Sequence, residues 1–415
     1  MKSFWQNRTT SLLQLDRYLL MGIAFLLPLY KQGIPVLISI LILRWLLSGQ
    51  FLRLPQAVIA SRHRATILMF AVLYLIHLIG MINTNNIRSG LFDLEVKASL
   101  LIFPLIFVTL DPRTLEEKWM IRVWFAFIGG CLSSLLFGLG RAFWMWQQSG
   151  DIMSFFYTGL SYSHHPSYLA LYLNLAIALV TIILVEHKSL LTKTFRIFLI
   201  LLLALFMVFI VLLSSKAGIL GLVITLVISM MYLIIRQKLM VEGILGFLLS
   251  ITFLLLMLNA FPYSVLRLKT ASAVMEAHDE VKKDDTEGTA ERILIWQAGL
   301  RLAWEHFLTG AGTGDVKDVL MAEYEKKGMK AASEQRLNAH NQYLQTTVAL
   351  GVIGLLVLIL ILLLPALQAY RQNNFPYFVF LVLLGFNLLF ESMLETQAGV
   401  VFYAFFNVVL YQKNQ

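Results

Sequence analysis

The chain has 415 residues, of which 59% are hydrophobic and 14% are charged, with a net charge of +9 and a single cysteine. Soluble domains carry about 25% charged residues, so this composition excludes an ordinary soluble protein. The lone Cys131 excludes a disulfide framework and a thiolate metal site. The apolar runs are long and leucine-rich, whereas membrane β-strands alternate and are about ten residues long, so we predict an all-α polytopic membrane protein.

The apolar runs predict about twelve transmembrane helices, at roughly 20 apolar residues per span. No small-residue cleavage site precedes the first run, so we expect no cleaved signal peptide. The predicted spans are 18–30, 33–47, 65–82, 98–110, 119–146, 167–185, 197–213, 217–235, 241–261, 342–364, 375–390 and 398–411. The first two are short and contain Pro28 and Pro35, so a single broken hairpin is an alternative. Residues 1–415 then form a single integral membrane domain.

Basic residues in the short connections predict the orientation of the chain. They precede the first span and then follow every second span, for example at Arg53, Arg113, Lys188, Arg236 and Arg371. By the positive-inside rule these connections are cytoplasmic, as are both termini. The positive net charge is then an orientation signal, and no nucleic-acid partner is expected.

The longest polar segment, residues 262–340, lies between the ninth and tenth predicted spans and therefore faces outward. After Arg292, apolar residues recur at helical spacing, at Ile295, Ala298, Leu302 and Phe307. Glycines at 310–314 follow, but no strand precedes them and no Lys-Ser/Thr pair ends the segment. We interpret them as a turn between two amphipathic helices, not as a phosphate loop. The loop is thus predicted to be partly helical.

Several polar residues on the predicted outer side are candidates for a functional site, and most have a simpler structural interpretation. Arg88 and Lys97 are placed to snorkel to the headgroups, Lys97 has acidic neighbours to pair with, and the histidine pair before a proline suits a helix entry. Glu391 and Glu395 are placed to cap or solvate a short connection. Lys216 differs, because a charge in a deeply apolar run tends to be functional. Nothing in the histidine spacing supports a metal site. The candidates are Arg88, Lys97, His164, His165, Lys216, Arg292, Arg336, His340 and Asn341.

Four features of the late part of the chain occur in a fixed order. They are Arg292 in ERILIWQAGL, the segment GAGTGD at 310–315, the segment HNQYLQ beginning at His340, and the pair Gly351 and Gly354. In order, spacing and side of the membrane they resemble the O-antigen ligase and polymerase superfamily of bacterial envelope glycosyltransferases.

The resemblance implies a GT-C-like fold and a metal-independent, inverting glycosyl transfer without a cofactor, at the periplasmic face of the bacterial inner membrane. The donor would be a glycan on undecaprenyl pyrophosphate and the acceptor lipid A-core, in lipopolysaccharide biosynthesis. His340 matches the loop histidine that activates the acceptor hydroxyl, and Arg292 matches an arginine that holds the pyrophosphate. Family members often have Ser-Arg where this chain has Ser215 and Lys216, and lysine supplies charge but no bidentate fork. A neutral imidazole suits a general base near pH 7, and cations can stabilise a pyrophosphate leaving group.

Other functions remain open on the sequence. A polysaccharide polymerase, or a ligase with a protein acceptor, would share the same fold and motifs. A polytopic lipid-glycan transporter belongs to a different class, and transporters tend to show repeated halves and charges near the midplane. The sequence shows no internal repeat, and its charges collect at the outer surface, which favours an enzyme.

Overall fold

The computed structural model describes residues 2–266 and 290–411, and this part of the chain consists of helices and their connections without any strand. The helices, in chain order, are α1 (Lys2–Leu29), α2 (Ile34–Leu47), α3 (Leu54–Ala60), α4 (Arg62–Met69), α5 (Val72–Ile79), α6 (Ile87–Lys97), α7 (Ser99–Thr109), α8 (Glu117–Ser149), α9 (Pro166–Glu186), α10 (Lys193–Leu212), α11 (Lys216–Met231), α12 (Met240–Ala260), α13 (Ala290–Glu305), α14 (Val316–Lys326), α15 (Lys330–Glu334), α16 (Gln342–Arg371), α17 (Phe375–Asn387) and α18 (Gln397–Tyr411). The predicted all-helical class is confirmed.

Eight helical segments within the described residues are long and apolar enough to cross a membrane, against about twelve predicted from the sequence. They are Ser11–Leu29, Thr66–Asn83, Glu117–Ser149, Pro166–Glu186, Lys193–Leu212, Lys216–Arg236, Met240–Ala260 and Gln342–Arg371. A pair bent by 67°, Lys31–Leu47 with Gln50–Ala60, raises the number to nine if it counts as one span. Helix α7 has 11 residues, α17 has 13 and α18 has 15, so each is shorter than a full span. The count of twelve therefore stays a prediction.

Helices α9 and α18 form the centre of the bundle. Every residue of α18 from Ala398 to Tyr411 is buried, and α9 is buried over most of its length. Aromatic rings join the two helices, with the ring centroids of Tyr172 and Phe402 4.5 Å apart. The side-chain amide of the buried Asn174 on α9 donates to the Gly218 carbonyl on α11 at 3.0 Å. Such polar contacts hold helices together where lipid offers no hydrophobic driving force.

The two ends of α9 lie at opposite ends of the bundle and separate two sets of polar groups. At 1.5 Å per residue this helix is about 30 Å long, which is close to the thickness of the hydrocarbon core. Its first turn carries Ser167, whose hydroxyl donates to Glu391 at 3.0 Å. Its last turn carries Glu186, which accepts a hydrogen bond from Tyr232 at 2.5 Å. The connections predicted to face outward therefore lie at one end of the bundle, and the connections predicted to be cytoplasmic lie at the other end.

Helix α16 is broken at Gly351, which has φ 66° and ψ −164°. A Cβ atom at this position would lie 2.5 Å from a backbone carbonyl oxygen, so only glycine fits this left-handed conformation. The break frees backbone groups that bond to the loop preceding the helix. The Gly312 N–H donates to the Ala349 carbonyl at 3.0 Å, and the Val352 N–H donates to the Phe307 carbonyl at 2.6 Å. The glycine-rich segment is therefore part of the helix packing.

The other side of the same segment is fixed to the corner between α5 and α6. The Thr313 hydroxyl donates to the His77 carbonyl at 2.7 Å. The Asp315 carboxylate accepts from the backbone N–H groups of Asn85 and Asn86, each at 2.7 Å. GAGTGD is thus a turn between α13 and α14, as predicted, and it joins two distant parts of the bundle.

The amphipathic pattern predicted for the loop is confirmed where the structure describes it. Apolar faces of α13 and α14 pack together through Ile295, Ala298, Leu302, Val316, Leu320 and Tyr324. Phe307, which the pattern also placed on this face, is 40% exposed, because the helix has ended before it. The charged first part of the predicted loop, including Gly288, lies outside the described residues.

Candidate active site

Glu391, in the short connection between α17 and α18, is the centre of a cluster of polar side chains. The residue is only 6% exposed. Its Oε1 accepts hydrogen bonds from Arg292 Nη2 at 2.7 Å and from the Ser167 hydroxyl at 3.0 Å. Two histidines turn Nδ1 toward it, His165 at 3.7 Å from Oε1 and His340 at 3.6 Å from Oε2. We call these five residues the Glu391 cluster.

Local sequence explains how the two histidines reach this position. Pro166 begins α9, where its fixed φ suits the first helical position, and His165 is the N-cap. His340 has φ 45°, a left-handed conformation, and its N–H donates to the Asn338 side chain at 2.9 Å. Asn341 then caps α16 by accepting from the N–H of the third helical residue at 3.1 Å. The sequence predicted a substrate-binding role for Asn341, and the structure places its side chain in this cap.

The charge of Glu391 is held by its surroundings. Burial alone would raise the pKa of this carboxyl, but contact with His340 and the positive charges of Arg292 and His165 outweigh it. The pKa therefore lies well below its usual range, and the group is an anion at neutral pH. Arg292 is fixed further by a hydrogen bond to the Phe390 carbonyl at 2.6 Å.

A second buried network lies beside the cluster. The Lys97 side chain is fully buried, and its ammonium donates to both oxygens of Asp93 at 2.7 Å and to Glu395 at 3.0 Å. Glu395 also accepts from Gln342 at 2.8 Å, and Gln342 accepts in turn from the Leu394 N–H at 2.7 Å. Burial would lower the pKa of Lys97, but the two carboxylates outweigh it and raise that pKa, so the lysine stays charged.

The structure therefore divides the predicted site residues. It brings His340, Arg292 and His165 together, whereas Lys97 is enclosed by carboxylates. Lys216 is the first residue of α11, half-buried, and follows Ser215, whose hydroxyl donates to Ser167 in the cluster at 3.3 Å. Lys216 is thus the sequence neighbour of a residue that contacts the cluster.

Three further candidates lie apart from these contacts. His164 is buried against Tyr172, with ring centroids 5.4 Å apart. Burial and the charge of Lys31 lower the pKa of His164 to about 4. Arg88 is exposed on the first turn of α6. The Arg336 side chain is 62% exposed and lies 3.5 Å from Asp318 on α14.

Sequence reasoning missed the importance of Glu391 and Glu395, which it interpreted as capping or solvating a short connection. The Glu391 residue and the side chain of Glu395 are buried, and each anchors a network. The available signal was the occurrence of two acidic residues in a short link between apolar helices, since ionisable groups at membrane depth usually have a partner or a function. Within the described residues, no three His, Cys, Asp or Glu side chains form a group that could hold one metal ion.

Part of the chain is similar to a known protein family. Residues 199–359 match the family model described as O-Antigen ligase. No curated protein matches the chain. The matched segment includes Lys216, Arg292 and His340, whereas Glu391 lies beyond its end. Members of this family are glycosyltransferase-like enzymes of O-antigen processing. The match confirms the predicted resemblance to the O-antigen ligase superfamily over residues 199–359.

Proposed function

We propose that this protein moves a glycan from undecaprenyl pyrophosphate to lipid A-core, as an inverting O-antigen ligase, and that the Glu391 cluster is its active site. The observation that carries the proposal is the contact of His340 with Glu391, 3.6 Å between Nδ1 and Oε2. His340 lies in the family-matched segment, and its partner is a buried anion.

In this proposal Glu391 orients the base. A carboxylate facing Nδ1 favours the tautomer with a proton there, which leaves Nε2 free to accept one. The acceptor hydroxyl oxygen forms a bond to the anomeric carbon of the glycan while its proton moves to His340 Nε2. The bond between the anomeric carbon and the pyrophosphate oxygen breaks, and the electron pair leaves with undecaprenyl pyrophosphate. Attack opposite the leaving group inverts the anomeric configuration.

Arg292 and Lys216 would stabilise the charge of the leaving pyrophosphate. The guanidinium of Arg292 has more N–H donors than the Glu391 and Phe390 oxygens use, so it can hold its carboxylate and a phosphate oxygen together. Lys216 adds a point charge beside Ser215, which contacts the cluster. We assign Lys97 to the framework, because two carboxylates already neutralise it.

We further propose that the Glu391 end of the bundle is periplasmic and that both termini are cytoplasmic, in the bacterial inner membrane. The support is the distribution of basic residues. The connections rich in Lys and Arg, such as the one with Arg113 beside Arg17, lie at the end of the bundle away from Glu391.

The test is reconstitution of the purified protein with undecaprenyl-pyrophosphate-linked glycan and lipid A-core, followed by a gel shift of the product. Glycan on lipid A-core establishes the ligase. Longer carrier-linked chains would instead make the protein a polymerase, and absence of transfer to either acceptor would remove the ligase assignment and direct the assay to protein acceptors.

In the same assay we expect His340→Ala to abolish transfer without changing the melting temperature. His306→Ala is the matched control, because this half-buried histidine follows α13 outside the cluster and should retain full activity. Transfer by a well-folded His340→Ala protein would disprove the general-base role.

A further inference from the structure

A second site lies at the end of the bundle away from the Glu391 cluster. There, the C-terminal end of α11 and the corner between α16 and α17 enclose a cavity of about 170 Å³. Its walls are almost entirely apolar and include Ile228, Ala369 and Phe378. Met231 and Tyr370, which are 48% and 55% exposed, form its rim, so the cavity opens at the side of the bundle. Nothing in the proposed transfer reaction uses this cavity.

A local change in helix geometry accompanies the cavity. Helix α11 continues into a π-helical turn, Tyr232–Arg236, in which the Gln237 N–H donates to the Tyr232 carbonyl at 3.2 Å. The Tyr232 hydroxyl, on the cavity wall, is already paired with Glu186 at 2.5 Å and with Gln237 at 2.6 Å. This polar group of the wall is therefore satisfied by the protein, and the occupant that fits is apolar. Turns of this kind occur often at functional sites.

Positive charge stands at the mouth of the cavity. The guanidinium of Arg236 lies 5.3 Å from the ring centroid of Tyr370 and donates to the Tyr370 carbonyl at 3.3 Å. The Arg236 residue is exposed, as is Arg371 in the next position of the same corner. A fixed cation beside an apolar cavity is complementary to a molecule with an anionic head and a hydrocarbon chain.

The size of the cavity suits the end of a hydrocarbon chain. A dry apolar cavity of about 150 Å³ holds a molecule the size of benzene, so the present volume accommodates several methylene groups. The cavity and Ser167 of the cluster lie near opposite ends of α9, about 30 Å apart by helix length. One headgroup cannot occupy both places, so a lipid whose phosphate lies at Arg236 is distinct from a donor whose pyrophosphate lies at the Glu391 cluster.

We infer that this cavity binds an anionic phospholipid, with one acyl chain between α11 and the α16–α17 corner and the headgroup phosphate on Arg236. The shape and apolar walls of the cavity favour a hydrocarbon chain, and the positive charge of Arg236 favours an anionic headgroup. The lipid links the end of α11 to the last helices of the bundle and stabilises that contact.

The experiment is native mass spectrometry of the full chain in detergent with added phosphatidylglycerol or phosphatidylcholine of identical acyl chains. A basic residue near an anionic lipid is expected to give about a fivefold preference for phosphatidylglycerol. Arg236→Gln should abolish this preference. Lys193→Gln, which removes an exposed charge from the first turn of α10, should leave it unchanged.

Filling the cavity tests the chain part of the site separately. Ala369→Leu and Ile228→Phe should each reduce retention of both lipids, and circular dichroism identifies any variant that has failed to fold. Equal retention of the two lipids by the unaltered protein would overturn the inference. Loss of preference in both Arg236→Gln and Lys193→Gln would also overturn it, by assigning the effect to general surface charge.

Discussion

A carboxylate that is nearly removed from solvent needs close positive partners, and Glu391 has three basic side chains around it. Arg292 makes the shortest contact, while the two histidines remain slightly beyond hydrogen-bond distance. The arrangement fixes the anion firmly, and in the proposed mechanism the same carboxylate orients the base.

We expect Glu391→Gln to lower the turnover number about 10² to 10⁴-fold, because an amide no longer fixes the histidine tautomer by charge. The KM for the donor should change much less. The measurement is the initial rate of glycan transfer in the reconstituted system.

Glu305→Gln is the control for this change, since Glu305 is an exposed carboxylate at the end of α13 and should retain normal activity. Glu391→Asp keeps the charge and should recover part of the rate. If the turnover number of Glu391→Gln lies within twofold of that of the unaltered protein, Glu391 has no role in the mechanism.

We expect the burial of His164 to make the stability of the folded protein depend on pH. Burial and Lys31 lower its pKa from 6.5 to about 4, so between these values the unfolded chain binds more protons than the folded chain. The neutral His164 therefore allows the folded state its full stability above pH 6.5, and the free energy of unfolding decreases as the pH falls toward 4. His164→Phe keeps a ring against Tyr172 but cannot titrate. Its melting temperature should fall less between pH 7 and pH 5 than that of the unaltered protein.

His306→Ala should keep the full pH dependence, because it leaves His164 in place. An identical loss of melting temperature in His164→Phe and the unaltered protein would show that other groups cause the acid sensitivity.

The sequence predicted His340, Arg292 and His165 as site residues, and the structure places them together. His165 stands in a short polar segment that interrupts apolar sequence, whereas Arg292 and His340 lie in the longest polar segment of the chain, residues 262–340. The sequence did not predict their common partner, because contacts such as Arg292 with Glu391 join residues 99 positions apart. Asn341 illustrates the opposite case, where a polar residue beside a catalytic candidate serves as a helix cap.

Among the elements, the broken helix α16 carries His340 at its entrance and the glycine-rich turn at its break. The turn reaches from this break to the corner between α5 and α6. Because α13 precedes the turn directly, the same contacts limit how far Arg292 can move from His340. The loop helices are thus positioned by backbone hydrogen bonds as well as by their apolar faces.

Replacement of Gly351 by alanine should destabilise the protein by about 1–3 kcal/mol, since the left-handed conformation at this position excludes a Cβ atom. The measurement is the melting temperature of the purified protein in detergent. Gly140→Ala in α8 is the matched control, because no atom lies within 4 Å of the Cβ it would introduce. A Gly351→Ala protein as stable as Gly140→Ala would contradict this account of the break.

Helix positions were largely predictable, because each apolar run in the sequence coincides with a helix. Helix lengths were less so. Helix α17 ends at Asn387 and α18 begins at Gln397, and the length of their connection, residues 388–396, reflects the buried site rather than hydropathy. The break at Gly351 was also invisible, since a glycine within an apolar run is compatible with a continuous helix.

In the molecule as a whole, the ion pairs of Lys97 connect the early helix α6 with the last connection of the chain. Lys97→Met should destabilise the protein by about 3–5 kcal/mol, because the enclosed carboxylates of Asp93 and Glu395 would lose their cation. Arg88→Gln, an exposed change in the same helix, is the control. Thermal unfolding in detergent measures both.

The double change Lys97→Met with Glu395→Gln should recover part of the lost stability, because it also removes one of the stranded charges. If the double variant is less stable than Lys97→Met alone, the network is held by packing and not by charge balance.

The position of Lys97 also has a consequence for synthesis of the protein. Its partner Glu395 is 298 residues later in the chain. At roughly 5–20 residues per second, translation of that interval takes about 15–60 s. During this time the ribosome-bound chain holds Lys97 and Asp93 without the anion that completes their site. The early charges can be enclosed only after the connection that carries Glu395 has been synthesised, so this part of the fold forms late.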